Sequence, residues 1–320
     1  MCVFHAPDPR VVLHCRGEPR SNIRHSEPEP ERAAQSGMVK QTFAGKVVWI
    51  TGASSGIGRS LALAFREADA KLILSARRTG ALEEIRQECG GGPDVRILPL
   101  DLADLESLPG RVDEALAYFG RVDCMVHNAG VALRDTAIRT DLEVDQRIMA
   151  TNYFGPVAIT KALLPSMLER GQGQFVVVGS LSGKYGGPLL SSYAASKHAL
   201  HGFFESLRAE VHSRGIRITF VIPGFIRTPI ASHALTGDGT TFGRSLEVHE
   251  RGMTSDECAR RILKATEKGK REALVGGLEI YSVPMHRFFP GTFEALIRNH
   301  PVKRLNRVVR LLSFRRRGSG

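Results

Sequence analysis

Val47-Val48-Trp49-Ile50-Thr51-Gly52-Ala53-Ser54-Ser55-Gly56-Ile57-Gly58 joins an apolar, β-rich run to a glycine turn, and a helical pattern continues through Leu61, Ala64 and Phe65. Glycines at 52, 56 and 58 let the backbone turn tightly and approach a bound group, because no Cβ intervenes. A helix opening directly after such a turn presents unpaired N–H groups and the positive end of its dipole, which suit a pyrophosphate. The spacing is GxxxGxG rather than the commoner GxGxxG. The preceding strand and following helix separate it from a plain glycine turn.

Outward from this stretch, short apolar runs alternate with helical patterns. The runs are Val47–Thr51, Lys71–Ser75, Val95–Leu100, Val122–His127, Phe175–Gly179, Arg217–Ile222 and Glu272–Val275. Runs apolar along their whole length suit strands covered by helices on both faces. The pattern predicts an α/β fold: one doubly wound, seven-stranded parallel sheet over about residues 42–280.

The flanks differ. Residues 1–41 are rich in Pro, Arg and Glu, include Ser26-Glu27-Pro28-Glu29-Pro30-Glu31, and have no period. Such a segment buries too little apolar surface to offset its ordering entropy, so a disordered extension is expected. Met38 is an equally acceptable start of translation. Residues 281–320 form a third segment, on the substrate side, ending in a basic tail.

Hydrophobic residues make up 42% of the 320-residue chain, enough for a sizeable core. No apolar run approaches the roughly 18 residues of a membrane span. The amino terminus lacks the order of a signal peptide, which points to the cytoplasm. The five cysteines form no CxxC and no metal spacing, so free thiols are expected and no metal site. His198 and His201 stand one turn apart without a third ligand nearby and read as ordinary helix residues. The net charge is +11, but residues 298–320 hold eight basic and no acidic side chains. The rest is nearly neutral, which argues against a nucleic-acid-binding domain.

Tyr193 and Lys197 lie at i and i+4 in Ser191-Ser192-Tyr193-Ala194-Ala195-Ser196-Lys197, on one face of a helix. A free phenol has a pKa of about 10, too high for efficient proton exchange near neutrality. A nearby ammonium favours the phenolate and is expected to lower that value. Tyr193 can then donate a proton to a carbonyl oxygen while hydride arrives at its carbon, or do the reverse. Ser180, at the end of the fifth predicted strand, can donate a hydrogen bond to the same oxygen.

At the end of the second predicted strand the chain reads Leu74-Ser75-Ala76-Arg77-Arg78, with no acid in reach to hold ribose hydroxyls. A guanidinium suits a 2′-phosphate, so NADP(H) is expected, with Arg77 the main discriminator and Arg78 or Arg59 assisting. The alternative is that these arginines are solvated surface charges. Asp101-Leu102 and Asn128-Ala129-Gly130 follow the third and fourth predicted strands, where open α/β sheets bind ligands. Asp101 can accept from the adenine amine and Asn128 can tie the loop beneath the cofactor; alone, each could be a turn or capping residue.

Together these motifs resemble the short-chain dehydrogenase/reductases of the compact, single-domain branch. The match comprises TGxxxGxG at Thr51–Gly58, Asn128-Ala129-Gly130, Asn152 in Thr151-Asn152-Tyr153-Phe154-Gly155, Ser180, the YxxxK pair and Pro223-Gly224 with Thr228. The stretch from Tyr193 to Glu210 further resembles the hydroxysteroid-dehydrogenase-like members. The resemblance implies a Rossmann fold and a catalytic tetrad. In it Tyr193 is the acid/base, and Lys197 holds the nicotinamide ribose and tunes Tyr193. Ser180 orients the substrate oxygen, and Asn152 supports a water relay to Lys197. It also implies cofactor contacts from Gly52, Ser54, Ser55, Gly56, Ile57 and Gly58, from Asp101, Leu102, Asn128, Ala129 and Gly130, and from Pro223, Gly224 and Thr228 at the nicotinamide carboxamide. A homodimer or tetramer built from the helices bearing Asn152 and Tyr193 is implied too. Three positions depart from the family pattern: His127, Gly179 and Asp69.

After Thr228, a polar, Gly-rich stretch to Gly252 has the length of a lid or a disordered loop. Thr254 and Glu257 read as a capping box opening the next helix. Tyr281, Met285, Phe288 and Phe289 either roof an apolar pocket or serve as core or interface. In Pro301–Arg317, Val302, Leu305, Val308, Val309 and Leu312 share one stripe, with Lys303, Arg307 and Arg310 facing away. This tail either rests on an anionic membrane surface, giving peripheral association, or packs on the protein itself. The expected function is NADP(H)-dependent interconversion of a carbonyl and an alcohol on a hydrophobic (steroid-, retinoid- or lipid-like) small-molecule substrate. The alternative is a non-catalytic dinucleotide-binding sensor or scaffold. A nucleotide-sugar epimerase also uses YxxxK, but the glycine spacing and the lack of a large sugar-binding lobe disfavour it.

Overall fold

A computed structural model of the protein describes residues 42–298. The expectations for residues 1–41, the start at Met38 and the tail at 301–317 lie outside the described residues.

The strands of the main sheet are β1 (Val47–Thr51), β2 (Lys71–Ser75), β3 (Val95–Ile97), β4 (Cys124–His127), β5 (Gly173–Val178), β6 (Ile216–Pro223) and β9 (Glu272–Val275). They form one seven-stranded sheet in the order β3-β2-β1-β4-β5-β6-β9. Every neighbouring pair is parallel. The fold is therefore a doubly wound Rossmann sheet, and its order reverses between β1 and β4, which opens a crevice at their carboxyl ends.

The helices are α1 (Gly56–Glu67), α2 (Thr79–Glu88), α3 (Leu108–Phe119), α4 (Leu142–Met149), α5 (Gly155–Glu169), α6 (Ser191–Val211), α7 (Glu247–Glu250), α8 (Ser255–Glu267), α9 (Ser282–Phe288) and α10 (Pro290–Arg298). Alternate side chains of β1 explain how two cores arise. Val48 and Ile50 join the cluster containing Leu61 and Phe65 of α1 and Ile262 of α8. Val47 and Trp49 point the other way, into a cluster with Val112, Ile159, Leu163 and Phe204. All five β1 residues are buried, and the Trp49 indole N–H donates to Ser75 Oγ at 2.8 Å, so no polar atom is stranded there.

Four strands differ in their bounds: β5 runs Gly173–Val178 rather than Phe175–Gly179, and β6 Ile216–Pro223 rather than Arg217–Ile222. Regular β3 ends at Ile97 rather than Leu100, although Leu98 and Leu100 still donate to the carbonyls of Leu74 and Ala76. β4 begins at Cys124 rather than Val122, because the Asp123 carboxylate turns to accept from Val47 N–H at 2.8 Å. The stretch from Pro229 to Gly252 is neither open nor structureless. Leu235 bridges Leu133 and Thr241, and short β7 (Ile226–Arg227) and β8 (Met253–Thr254) pair beside it.

Two local expectations are met, one only in part. Asp69 takes a left-handed conformation at φ 58°, a region Asp tolerates better than most residues. Thr254 caps α8 by accepting from Glu257 N–H at 3.2 Å. The Glu257 carboxylate does not complete the box; it pairs with Arg260 and Arg261 one turn on.

Candidate active site

The glycine turn and the loop after β4 interlock. Asn128 Nδ2 donates to the carbonyls of Thr51 and Gly52 at 3.0 and 3.2 Å, while Thr51 Oγ1 accepts from the N–H groups of Asn128 and Ala129 at 3.1 and 3.3 Å. Glycine is obligatory in this weave. A Cβ on Gly58 would stand 2.1 Å from the Gly52 carbonyl oxygen, and one on Gly52 would stand 2.8 Å from Ala129 Cα. Gly56 has φ 54°, and its Cα faces Thr228, whose Cγ2 would lie 3.0 Å from an added Cβ. One cradle at the switch point thus gathers Gly52, Gly56, Gly58, Asn128, Ala129 and Thr228. Ser54, Ser55 and Ile57 are half-exposed on its rim.

Asp101 Oδ1 accepts from Ala103 N–H at 3.0 Å and so shapes the turn after β3, with Leu102 buried behind it. Arg77 and Arg78 are exposed just after β2. The Arg59 guanidinium pairs with Glu88 at the surface.

The acid/base pair sits deeper. Tyr193 and Lys197 of α6 are 8% and 4% exposed. Lys197 Nζ donates to the Val178 carbonyl at 3.0 Å and stands 5.9 Å from the centre of the Tyr193 ring. Ser180 follows β5 directly, and its Oγ accepts from Ser182 N–H at 3.1 Å. The same hydroxyl lies near the Tyr193 phenol and works to lower its pKa.

Electrostatics depart from expectation. Burial pushes the Tyr193 phenol above its usual value, and the nearby Ser180 hydroxyl only partly opposes this. The same burial lowers the Lys197 ammonium to about 8. Desolvation disfavours each charged form, and it outweighs the attraction that a neighbouring ammonium offers a phenolate.

Asn152 lies in one wide π-type turn, Ala150–Phe154, between α4 and α5. Its side chain is fully used: Oδ1 accepts from Val131 N–H at 2.8 Å, and Nδ2 donates to the Val131 carbonyl at 2.9 Å and to Ser196 Oγ at 3.0 Å. It therefore grips the loop after Gly130 rather than Lys197 itself. Gly130 fills the space between them, since a Cβ there would lie 3.3 Å from Asn152 Oδ1 and 3.5 Å from Lys197 Nζ.

The two remaining departures have physical reasons. A Cβ on Gly179 would stand 2.4 Å from the Phe220 ring, which excludes a second serine beside Ser180. His127 is buried, shares a hydrogen bond with Thr160 Oγ1 at 2.8 Å and stacks on Phe175. Burial lowers its pKa to about 3, so it is a neutral core residue. Sequence reasoning passed over Glu279. Its carboxylate reaches back to the turn after Pro223 and accepts from Phe225 N–H at 2.9 Å. Pro223 ends β6, and Gly224 N–H donates to the Val275 carbonyl at 2.9 Å.

The three buried thiols, Cys89, Cys124 and Cys258, are free. Among the described residues no helix is long and apolar enough to cross a membrane. Tyr281, Phe288 and Phe289 are 66%, 70% and 65% exposed, so they do not join the core. Phe293 packs inward instead, with its ring centre 4.6 Å from that of Tyr185.

A parallel α/β sheet with a glycine cradle at its switch point defines a dinucleotide-binding protein of the Rossmann class. The chain belongs to the short-chain dehydrogenase family, whose sequence model matches residues 46–238. It is 41% identical over 250 residues to a dehydrogenase/reductase SDR family protein 7-like of Drosophila melanogaster, covering 77% of each chain. It is also 41% identical over 259 residues to dehydrogenase/reductase SDR family member 7B of Bos taurus, covering 78% of this chain and 80% of that one. A short-chain dehydrogenase from Streptomyces avermitilis superimposes with a TM-score of 0.68 at 28% identity, covering 86% of this chain and 98% of that structure. The protein is thus an oxidoreductase of this family, which works on small molecules with a nicotinamide dinucleotide.

Proposed function

We propose that the protein is an NADP(H)-dependent oxidoreductase that interconverts a carbonyl and an alcohol on a hydrophobic, steroid-, retinoid- or lipid-like substrate. The observation that carries this reading is the buried meeting of Tyr193, Lys197 and Ser180 beside Gly130 and the glycine cradle. The cradle fits a dinucleotide, because Gly52, Gly56 and Gly58 bring bare backbone to the amino end of α1. Bound NADP(H) supplies or accepts the hydride.

The chain's own residues manage the proton. In reduction, Tyr193 gives its proton to the substrate oxygen as the carbonyl carbon gains hydride; in oxidation it takes that proton back. Ser180 donates a hydrogen bond to the same oxygen. Lys197, with a pKa of about 8, is placed to return a proton to Tyr193 near neutrality. Asn152 holds the loop at Gly130 and Val131 against which the pair is packed. Arg77, exposed and without an acidic neighbour at the end of β2, takes the 2′-phosphate, with Arg78 beside it. Asp101 serves the adenine beside Leu102, Asn128 and Ala129 tie the loop beneath the cofactor, and Pro223, Gly224 and Thr228 meet the nicotinamide carboxamide.

In this reading residues 42–280 are the catalytic domain, working as a homodimer or tetramer through the helices flanking Asn152 and bearing Tyr193. The exposed apolar side chains Leu278, Tyr281, Phe288, Phe289 and Leu296 crowd into one short segment just before the basic tail. That combination supports a cytoplasmic enzyme resting peripherally on anionic membrane, from which a lipidic substrate would enter.

The test is NADPH oxidation against a panel of steroid, retinoid, acyl and small aromatic carbonyls, with Tyr193→Phe run alongside. Turnover abolished by Tyr193→Phe is expected. Tight NADPH binding with no turnover across the panel would favour the sensor instead.

A further inference from the structure

Glu279 joins two loops of the site that stand about 50 residues apart in the sequence. Its Oε1 accepts from Phe225 N–H at 2.9 Å and from Gly277 N–H at 3.0 Å. One carboxylate oxygen therefore pins the turn after β6 to the turn after β9. The glycines around it leave room for that oxygen alone: a Cβ on Gly224 would stand 2.1 Å from Oε1, and one on Gly276 2.5 Å. Two backbone N–H groups thus share one acceptor, and the glycines on both turns are what let it reach them.

The backbone of the same residue reaches the serine loop. The Glu279 carbonyl accepts from the Ser282 hydroxyl, which shares a 2.7 Å hydrogen bond with the Tyr185 hydroxyl. Tyr185 lies just beyond the short 3-10 turn Leu181–Gly183 that follows Ser180. Its ring is held between His286 and Phe293, with centres 5.7 and 4.6 Å away. One residue thus sets the Pro223-Gly224-Phe225 turn and, through two hydroxyls, the Ser180 loop.

We propose that Glu279 is a positioning residue, holding the Pro223-Gly224-Phe225 turn and the Ser180 loop in register so that the nicotinamide and the substrate oxygen meet in one geometry. This rests on the reading of the site as an NADP(H) site. It predicts a loss confined to the nicotinamide end, because Arg77 and Asp101 lie at the other end of the cofactor and do not touch Glu279.

The experiment titrates the full-length protein with NADPH and, separately, with adenosine 2′,5′-bisphosphate, which carries the adenine end and no nicotinamide. Wild type, Glu279→Ala and Glu279→Gln are compared, with melting temperature and kcat measured on the same samples. Glu279→Ala is expected to weaken NADPH about tenfold, equivalent to about 1.4 kcal/mol, to lower kcat, and to leave adenosine 2′,5′-bisphosphate within about twofold. Glu279→Gln keeps an oxygen acceptor and is expected to recover most of the loss. Equal weakening of both ligands, or unchanged NADPH affinity and kcat, would overturn the proposal. Should Glu279→Ala not fold, Tyr185→Phe carries the test: it must raise the KM for the carbonyl substrate while NADPH affinity holds, and an unchanged KM would count against the link. A wild-type protein that binds neither ligand would refute the NADP(H) reading instead, and NADH titrated alongside would tell whether the dinucleotide site itself stands.

Discussion

Lys197 stands over Tyr193 with its Nζ 5.9 Å from the ring centre, and both side chains are buried. The pair therefore lives in a medium that penalises charge on either member. For Lys197 the folded pKa is about 8, against 10.5 for the free side chain. Between those values the unfolded chain binds more protons than the native one, so this group makes stability rise with pH there. Below pH 8 its desolvation cost is fully present. The expected result is that wild type gains stability relative to Lys197→Met from pH 7 to 9, by about 1.4 kcal/mol at 1.36 kcal/mol per unit, because only the unit above pH 8 contributes. Denaturant midpoints of the two proteins across that range check it. Comparing the two removes the opposite slope of Cys89, Cys124 and Cys258, whose thiols burial pushes up to about 11, 12 and 12.

Arg77 is exposed at the carboxyl end of β2. Arg77→Asp should place a carboxylate where the 2′-phosphate of NADP(H) would lie and where the ribose hydroxyls of NAD(H) accept one. The ratio of kcat/KM for NADPH over NADH is expected to fall at least tenfold. An unchanged ratio would show that these arginines are surface charges.

Gly179 faces the Phe220 ring, which in turn stacks on His201 with ring centres 3.6 Å apart. Gly179→Ser, which restores a common family residue, should cost about 1–3 kcal/mol by overpacking. Adding Phe220→Leu to Gly179→Ser should recover part of that loss, since the two residues share one contact. Thermal melts of the single and double variants measure the coupling. Strict additivity would mean that the loop moves away from Phe220 freely.

The exposed side chains at 278–296 adjoin a stretch rich in Lys and Arg. Co-sedimentation with vesicles containing phosphatidylserine is expected for the full chain and should weaken at high salt. Deletion of residues 300–320 should reduce it severalfold. Binding that survives the deletion unchanged would remove the membrane role of the tail.

The sheet was readable because its chemistry is local. Valine-rich runs such as Val47–Ile50 and Phe175–Val178 cannot face water on either side, and parallel strands covered by helices are the solution left to them. The glycine turn was readable for a related reason: Gly58 must clear the Gly52 carbonyl, and no other residue can. Long-range ties were not readable. The grip of Glu279 on Phe225 spans 54 residues, and nothing in either local pattern announces it. The phenol of Tyr193 was misjudged because an i,i+4 pairing reports proximity but not solvent exclusion.

The π-type turn at Ala150–Phe154 holds one residue more than an α-helix would over the same rise. Each residue of an α-helix advances the azimuth by about 100°. Within α5 itself, removing one residue would rotate everything beyond it by that angle; this turn already carries one residue in surplus, so a removal here would close it as ordinary α-helix and leave Ile159, Leu163 and Met167 on the sheet. Asn152 would lose Val131 in the same motion. The segment is thus more sensitive to length than to lettering: exchanges at its half-exposed positions, Ala150, Thr151 and Tyr153, leave the winding intact, whereas a single-codon deletion would straighten the turn and release the loop at Val131 that Asn152 holds.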